Sequence, residues 1–280
     1  MELSKVSLII YDLDGTLYED THHFDYYAKE LKKRLPADVQ DAFQTDYEAA
    51  RRDDHPLRIG RTYDANRDLI LVQIKGDVSE VYKWDGTALA EAEVRELYPE
   101  KVEVNLTDMF SVGDLWWVPG CISRHYGLTD AQTTEAFLAT REFMMGPEFH
   151  MNRIEGLVDA IAKSRAGGVK QVLVTNSPQP DSEKILDKIG LLHSFDEKIF
   201  MAKKPSGTKG VFERIKNQFD IPYERMLSVG DNWVNEILPA MELGFQTVYI
   251  DPHDIGVELE CTQRVHQMTE VLEIIAGAGK

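Results

Sequence analysis

The chain has 280 residues, 43% of them apolar and 28% charged, with a formal net charge of −17 at pH 7. That length holds one large domain or two modest ones, with enough apolar side chains to build a core without staples. The acidic balance, with no clustered Lys/Arg stripe, argues against a nucleic-acid partner, which would need such a stripe to release counterions. Cys121 and Cys261 stand in no metal-like spacing and suit a reducing compartment. The segment from Met1 to Tyr11 is too short for a signal peptide, and no apolar run approaches the roughly 20 residues that span a bilayer. A cytoplasmic protein with no membrane partner is the expectation.

In chain order, Ser7 to Tyr11 predicts a buried strand. Helical patterns follow at His23 to Leu35 and Ala37 to Arg52. Leu69 to Ile74 and Val78 to Trp84 are β-rich runs around Lys75-Gly76-Asp77 and predict a hairpin. A helix is predicted over Ala88 to Leu97, a strand over Val102 to Leu106 and a helix over Ala131 to Met145. From there strands and helices alternate. Helices are predicted at Ile154 to Ala162, Asp181 to Ile189, Thr208 to Phe219 and Asn235 to Leu243. Asp181 is read as an N-cap, and Gly190 and Gly244 as stops. Strands are predicted at Gln171 to Val174, Lys198 to Met201, Met226 to Val229 and Thr247 to Ile250. Such continuous apolar runs suit a parallel sheet covered on both faces.

The fold class is therefore α/β, a doubly wound, Rossmann-like parallel-sheet core. The long stretch between the first two core strands cannot be one crossover. It predicts an inserted, mainly helical cap carrying a β-hairpin. The core is assigned to residues 1–17 and 149–280, and the insert to 18–148.

The first strand runs into Asp12-Leu13-Asp14-Gly15-Thr16-Leu17. Ligands of open α/β sheets bind outside the carboxyl ends of the strands, which puts Asp12 where chemistry is expected. Asp14 follows past the strand end, where Gly15 allows a sharp turn. Two carboxylates so close need a cation between them or a proton on one. Mg²⁺ favours such oxygen ligands. A carboxylate can also attack phosphorus, and a neighbouring carboxyl can protonate the leaving oxygen.

This segment resembles the first signature of the haloacid dehalogenase-like superfamily, which implies three further motifs at later strand ends. Val174-Thr175-Asn176-Ser177 is similar to the second, which implies that Thr175, with Asn176 in the same turn, binds the phosphoryl oxygens. Lys203-Lys204-Pro205 is similar to the third and points to Lys204, with Lys203 in reserve. Gly230-Asp231-Asn232-Trp233-Val234-Asn235-Glu236 is similar to the fourth, with Asp231 as a metal ligand. The family often has Asp where Glu236 stands. The extra methylene shifts its carboxylate by about 1.5 Å. Glu236, and Asn232 beside Asp231, are therefore read as orienting groups around the metal or Lys204.

The resemblance implies a Mg²⁺-dependent phosphatase acting on a small-molecule phosphate ester. Asp12 would be the nucleophile and Asp14 the acid and base, with Asp12, Asp231 and Asp14 (through its backbone carbonyl) holding the metal. An acid at the Asp14 position is a mark of the phosphatases and phosphomutases of the family. A sugar phosphomutase and a catalytically silent Mg²⁺-binding module stand as alternatives. Tyr18 and Glu19, closest after the motif, are the substrate-contact candidates. Trp116, Trp117 and His125 are read as core of the insert, with Arg124 on its surface, before the four are read as a ligand wall, and His22 and His23 as helix-start residues. No P-loop, His-Glu-x-x-His or Gly-x-Ser-x-Gly motif is present.

Overall fold

The computed structural model describes residues 3–255 and 260–279, so Met1 and Glu2, weighed above, lie outside the described residues. The chain divides into two compact units, Met1–Asp20 with Met144–Lys280, and Thr21–Phe143.

The first unit opens with β1 (Leu8–Tyr11), all four residues buried. The chain then passes into the second unit. There α1 (His22–Arg34) and α2 (Gln40–Arg51) precede β2 (Thr62–Asp64), β3 (Leu69–Ile74) and β4 (Asp77–Tyr82). Next come α3 (Glu91–Leu97), β5 (Met109–Ser111), α4 (Trp117–His125) and α5 (Asp130–Met145), whose end lies in the first unit.

The hairpin predicted around Lys75-Gly76-Asp77 is present. Lys75 and Gly76 both take positive φ, at 50° and 89°, as the tight two-residue turn requires. It belongs to more sheet than the sequence predicts: a four-stranded antiparallel sheet in the order β4-β3-β2-β5. Alternation along β3 sends Ile70 into a core with Tyr27, Leu31, Phe43 and Ile122 from the helices. Leu71 goes to the other face, with Val81 and Val94 of α3.

The strand expected at Val102 to Leu106 does not form. Asn105 Oδ1 accepts the backbone N–H groups of Thr107, Asp108 and Met109 at 2.8, 2.9 and 3.3 Å, which turns the chain before it can pair. Pairing starts at β5, against β2.

Back in the first unit, the chain alternates through α6 (Leu157–Ala166), β6 (Lys170–Val174), α7 (Gln179–Ile189), β7 (Glu197–Ile199) and α8 (Thr208–Phe219). It continues with β8 (Met226–Gly230), a π-helical turn at Trp233–Ile237, α9 (Leu238–Leu243), β9 (Gln246–Ile250), β10 (Gln263–Val265) and α10 (Leu272–Gly277). Two expectations need correction. Asp181 lies inside the first turn of α7 and Pro178 is the cap, because Pro180 is suited to that first turn. The helix expected over Asn235 to Leu243 begins as the π-helical turn, around the Glu236 side chain described below.

The six strands form one parallel sheet in the order β10-β9-β8-β1-β6-β7. β1 is interior, between β6 and β8, which explains its unbroken apolar sequence. Tyr11 pairs with both Leu173 and Val229. That register brings Asp12, Thr175 and Asp231 out at neighbouring strand ends.

The segments leading to and from the insert are tied within the first unit. Asp20 accepts the backbone and side-chain N–H groups of Asn152 at 3.0 and 2.8 Å. The Lys188 ammonium donates to the carbonyls of Met144, Gly146 and Phe149 at 2.7, 2.7 and 2.9 Å.

One face of the sheet packs Leu8, Ile10 and Val172 against Phe212 and Ile215 of α8. The Phe212 ring stacks on Phe245 at 4.8 Å and is fully buried. Phe212→Ala is expected to cost about 3–5 kcal/mol through lost burial and a residual cavity, measured by urea unfolding.

Candidate active site

Lys204 organises the strand ends. Its side chain is 2% exposed, and its ammonium donates to Asp12 Oδ1 at 2.6 Å, Glu236 Oε1 at 2.5 Å and the Val174 carbonyl at 3.1 Å. Burial alone would lower the pKa of this ammonium, but Asp12 and Glu236 more than reverse that and raise it. Burial raises the pKa of the Asp12 carboxyl, Lys204 pulls it back down, and Asp14 adds to the rise.

The neighbours of Lys204 are built to hold it. Asn176 Oδ1 accepts the Lys204 backbone N–H at 2.6 Å, and Asn176 Nδ2 donates to the Lys204 carbonyl at 3.0 Å. The sequence assigned Asn176 to phosphate binding. Both ends of its side-chain amide are engaged by the Lys204 backbone, so that side chain also positions the lysine. Lys203, the reserve candidate, is exposed.

Glu236 is buried, with Oε1 on Lys204 and Oε2 accepting the Asn232 N–H at 3.0 Å. It fits only because residue 230 is glycine, since a Cβ there would lie 2.8 Å from Glu236 Cγ. Asn232 Oδ1 accepts the Asn235 N–H at 3.2 Å and caps the π-helical turn, a common device for re-aiming side chains at functional sites.

Asp231 follows β8, which pairs with β1. Thr16 donates its hydroxyl to Asp231 Oδ1 at 3.4 Å. Gly15 has φ 78°, and a Cβ on it would fall 2.1 Å from Asp231 Oδ2. Glycine thus serves both the turn and the close approach of the carboxylate.

Carboxylate oxygens of Asp12, Asp231 and Glu236 lie within 4.8 Å of one another. Lys204 offsets only part of that charge, and an all-oxygen donor set suits a hard divalent cation such as Mg²⁺. Both Glu236 oxygens are engaged, Oε1 by the Lys204 ammonium and Oε2 by the Asn232 N–H, whereas on Asp12 the ammonium takes Oδ1. Asp12 and Asp231 could hold such a cation, with Glu236 directed to Lys204.

Asp14 points elsewhere. Its Oδ2 accepts the Ser177 hydroxyl at 3.0 Å, and its Oδ1 accepts the Tyr18 hydroxyl. Thr175 is buried, and its hydroxyl oxygen accepts the Ser177 N–H at 3.1 Å. The two substrate-contact candidates are engaged otherwise. Tyr18 is buried on Asp14, and Glu19 Oε1 accepts the Met268 N–H at 2.6 Å. Sequence reasoning passed over Ser177, although it stands in the second motif beside Thr175.

In the second unit, His125 stacks on Trp84 at 3.7 Å and pairs with Asp68 at 2.8 Å, while Trp117 stacks on Phe110 at 5.5 Å. Arg124 donates to the Leu128 carbonyl at 3.0 Å. Trp116 lies 5.0 Å from His23, which stands in the first turn of α1, the helix start that the sequence predicts, and is buried there. The core reading of Trp116, Trp117 and His125 accounts for these contacts.

A family model described as haloacid dehalogenase-like hydrolase matches residues 6–244. No curated protein matches the chain. Among solved structures, it is similar to a predicted phosphoglycolate phosphatase from Haemophilus somnus, at 17% identity and a TM-score of 0.54, covering 97% of this chain and 99% of that one. It is also similar to the putative HAD-hydrolase YfnB from Bacillus subtilis bound to magnesium, at 15% identity and a TM-score of 0.52, covering 96% and 98%. A HAD phosphatase from Thermococcus onnurineus gives 13% identity and a TM-score of 0.50, covering 98% and 100%. At these identities the likeness is one of fold.

Lys204→Met leaves two buried carboxylates facing each other. It is expected to cost about 3–5 kcal/mol in urea unfolding at neutral pH without divalent cations. The sign with pH follows from the raised Lys204 pKa. The stabilisation from this group is fully present below an ordinary lysine value of about 10.4 and is lost as pH rises through the higher folded-state value. The parent protein should show that alkaline loss, and the variant should lack it.

Proposed function

The chain belongs to the haloacid dehalogenase-like hydrolase family, and from that premise we propose that it is a phosphatase. It hydrolyses a small-molecule phosphate monoester through an aspartyl-phosphate on Asp12, with Mg²⁺ bound. The observation that carries this reading is the second carboxylate. Asp14 stands two residues after Asp12 and is held by Ser177 and Tyr18, while Lys204 holds Asp12. A departing alkoxide needs a proton, whereas a departing halide does not. A separately held acid beside the nucleophile therefore favours phosphate ester cleavage over dehalogenation.

In the first step an Asp12 oxygen attacks phosphorus. The bond to the leaving alkoxide breaks and Asp14 gives that oxygen its proton. In the second, Asp14 takes a proton from water, whose oxygen attacks phosphorus. The bond to Asp12 breaks and phosphate leaves. Lys204, already on Asp12, is placed to offset charge on the transferring group, and the Thr175 turn supplies donors to its oxygens. Mg²⁺ held by Asp12, Asp231 and the Asp14 carbonyl would draw charge from the phosphoryl oxygens. The inserted unit, which follows the first motif, acts as a cap that reads the leaving part of the substrate.

No helix among the described residues is long and apolar enough to cross a membrane. Cys121 and Cys261 are both free, which supports a reducing cytoplasm as the setting.

Purified protein is expected to release phosphate from some members of a panel of sugar, nucleotide and small-acid phosphates in Mg²⁺, and from none in EDTA. Asp12→Asn should abolish release without unfolding the protein, and Asp14→Asn should lower it about 10²–10⁴-fold. Substantial turnover by Asp12→Asn would mean that another group attacks. Halide release from 2-haloacids, with no phosphate release from any ester, would make the protein a dehalogenase.

A further inference from the structure

A carboxyl that must protonate one particular oxygen has to be aimed. Asp14 lies on a turn after β1, and an Asp side chain there keeps freedom about χ1 and a broad χ2. Left to itself it could swing toward the positive Lys204 or toward the carboxylates beside it. Both of its oxygens are instead occupied, by hydroxyls from two different parts of the first unit.

Ser177 donates to Asp14 Oδ2 at 3.0 Å. It is itself fixed, being 5% exposed, donating its N–H to Thr175 Oγ1 at 3.1 Å and accepting the Met201 N–H on its carbonyl at 3.2 Å. Its position is thus inherited from the end of β6 in the middle of the sheet. Tyr18 donates to Asp14 Oδ1. Its side chain is 0% exposed, and residues 14 and 18 are joined by an isolated backbone bridge. Tyr18 lies three residues before the chain enters the inserted unit at Thr21.

We propose that Ser177 and Tyr18 are positioning residues for Asp14. Together they fix the direction in which its carboxyl meets the leaving oxygen of an alkyl phosphate. The proposal rests on the phosphatase reading above and adds two residues to it. One hydroxyl comes from the rigid sheet end and the other from the segment that leads to the insert, so the aim of Asp14 is set jointly by the two. Both hydroxyls donate to Asp14, and they act through it.

The test compares two substrates. Glycerol 2-phosphate has an alkoxide leaving group that needs the proton; p-nitrophenyl phosphate has one that leaves without it. Ser177→Ala and Tyr18→Phe are each expected to lower kcat for glycerol 2-phosphate about 10- to 100-fold, the scale on which a misplacement near 1 Å acts, with KM little changed. For p-nitrophenyl phosphate the loss should be much smaller. Ser177→Thr, which keeps the hydroxyl, should recover most of the glycerol 2-phosphate rate. In an Asp14→Asn background neither substitution should add to the loss.

An equal loss on both substrates, no loss on glycerol 2-phosphate, or a further loss on top of Asp14→Asn would overturn the proposal. Thermal melting of each variant separates misfolding from misaiming. If Ser177→Ala does not fold, Tyr18→Phe, which removes only a hydroxyl, decides alone. A parent protein inactive on every phosphate ester would overturn the phosphatase reading itself, an outcome distinct from active variants whose two substrates fall together.

Discussion

Burying the Lys204 ammonium together with the Asp12 and Glu236 carboxylates removes three charges from water. The effective cost of such burial is several kcal/mol per ion, offset only where geometry and further hydrogen bonds are good. Much of the surrounding sequence follows from meeting that condition. The Asn176 amide grips the Lys204 backbone on both sides. The Asn232 N–H occupies the Glu236 oxygen that the lysine does not. Gly230 leaves room for the Glu236 stem, and the Val174 carbonyl takes a further ammonium proton. The same condition suits Glu at position 236, whose side chain is long enough to reach the lysine.

The core was legible because its strands are buried on both faces and carry unbroken apolar runs, and because the chemistry sits at their ends. β1, β6 and β8, with Asp12, Thr175 and Asp231 just beyond them, could be placed from those runs alone. Three of the short strands could not. β2, β5 and β10 have three residues each, too few to display a period. At Val102 to Leu106 alternation was visible, but the Asn105 side chain overrides it by capturing three backbone N–H groups.

Site residues divided along the same line. Groups whose roles follow from charge at a strand end were readable. Groups whose roles depend on a partner far away in the chain were not. Ser177 finds Asp14 across 163 positions, and Glu19 finds the Met268 N–H across 249. Asn176 reads as a donor in a phosphate-binding turn until the Lys204 backbone is seen on both ends of its amide. Tyr18 was noticed for its closeness to the motif, yet its hydroxyl points back to Asp14 and not outward.

The pairing of Asp20 with Asn152 bears on how such a protein changes over generations. From the side of the sheet, the insert leaves and returns at two points already held together. Lengthening or replacing what lies between them alters mainly a closure entropy that grows with the logarithm of length, about 0.6 kcal/mol per doubling. The β-sheet that the insert carries could therefore be acquired with little disturbance of the parallel sheet behind Asp12. The inserted unit and the parallel sheet become separately heritable parts, joined at a clasp of two hydrogen bonds.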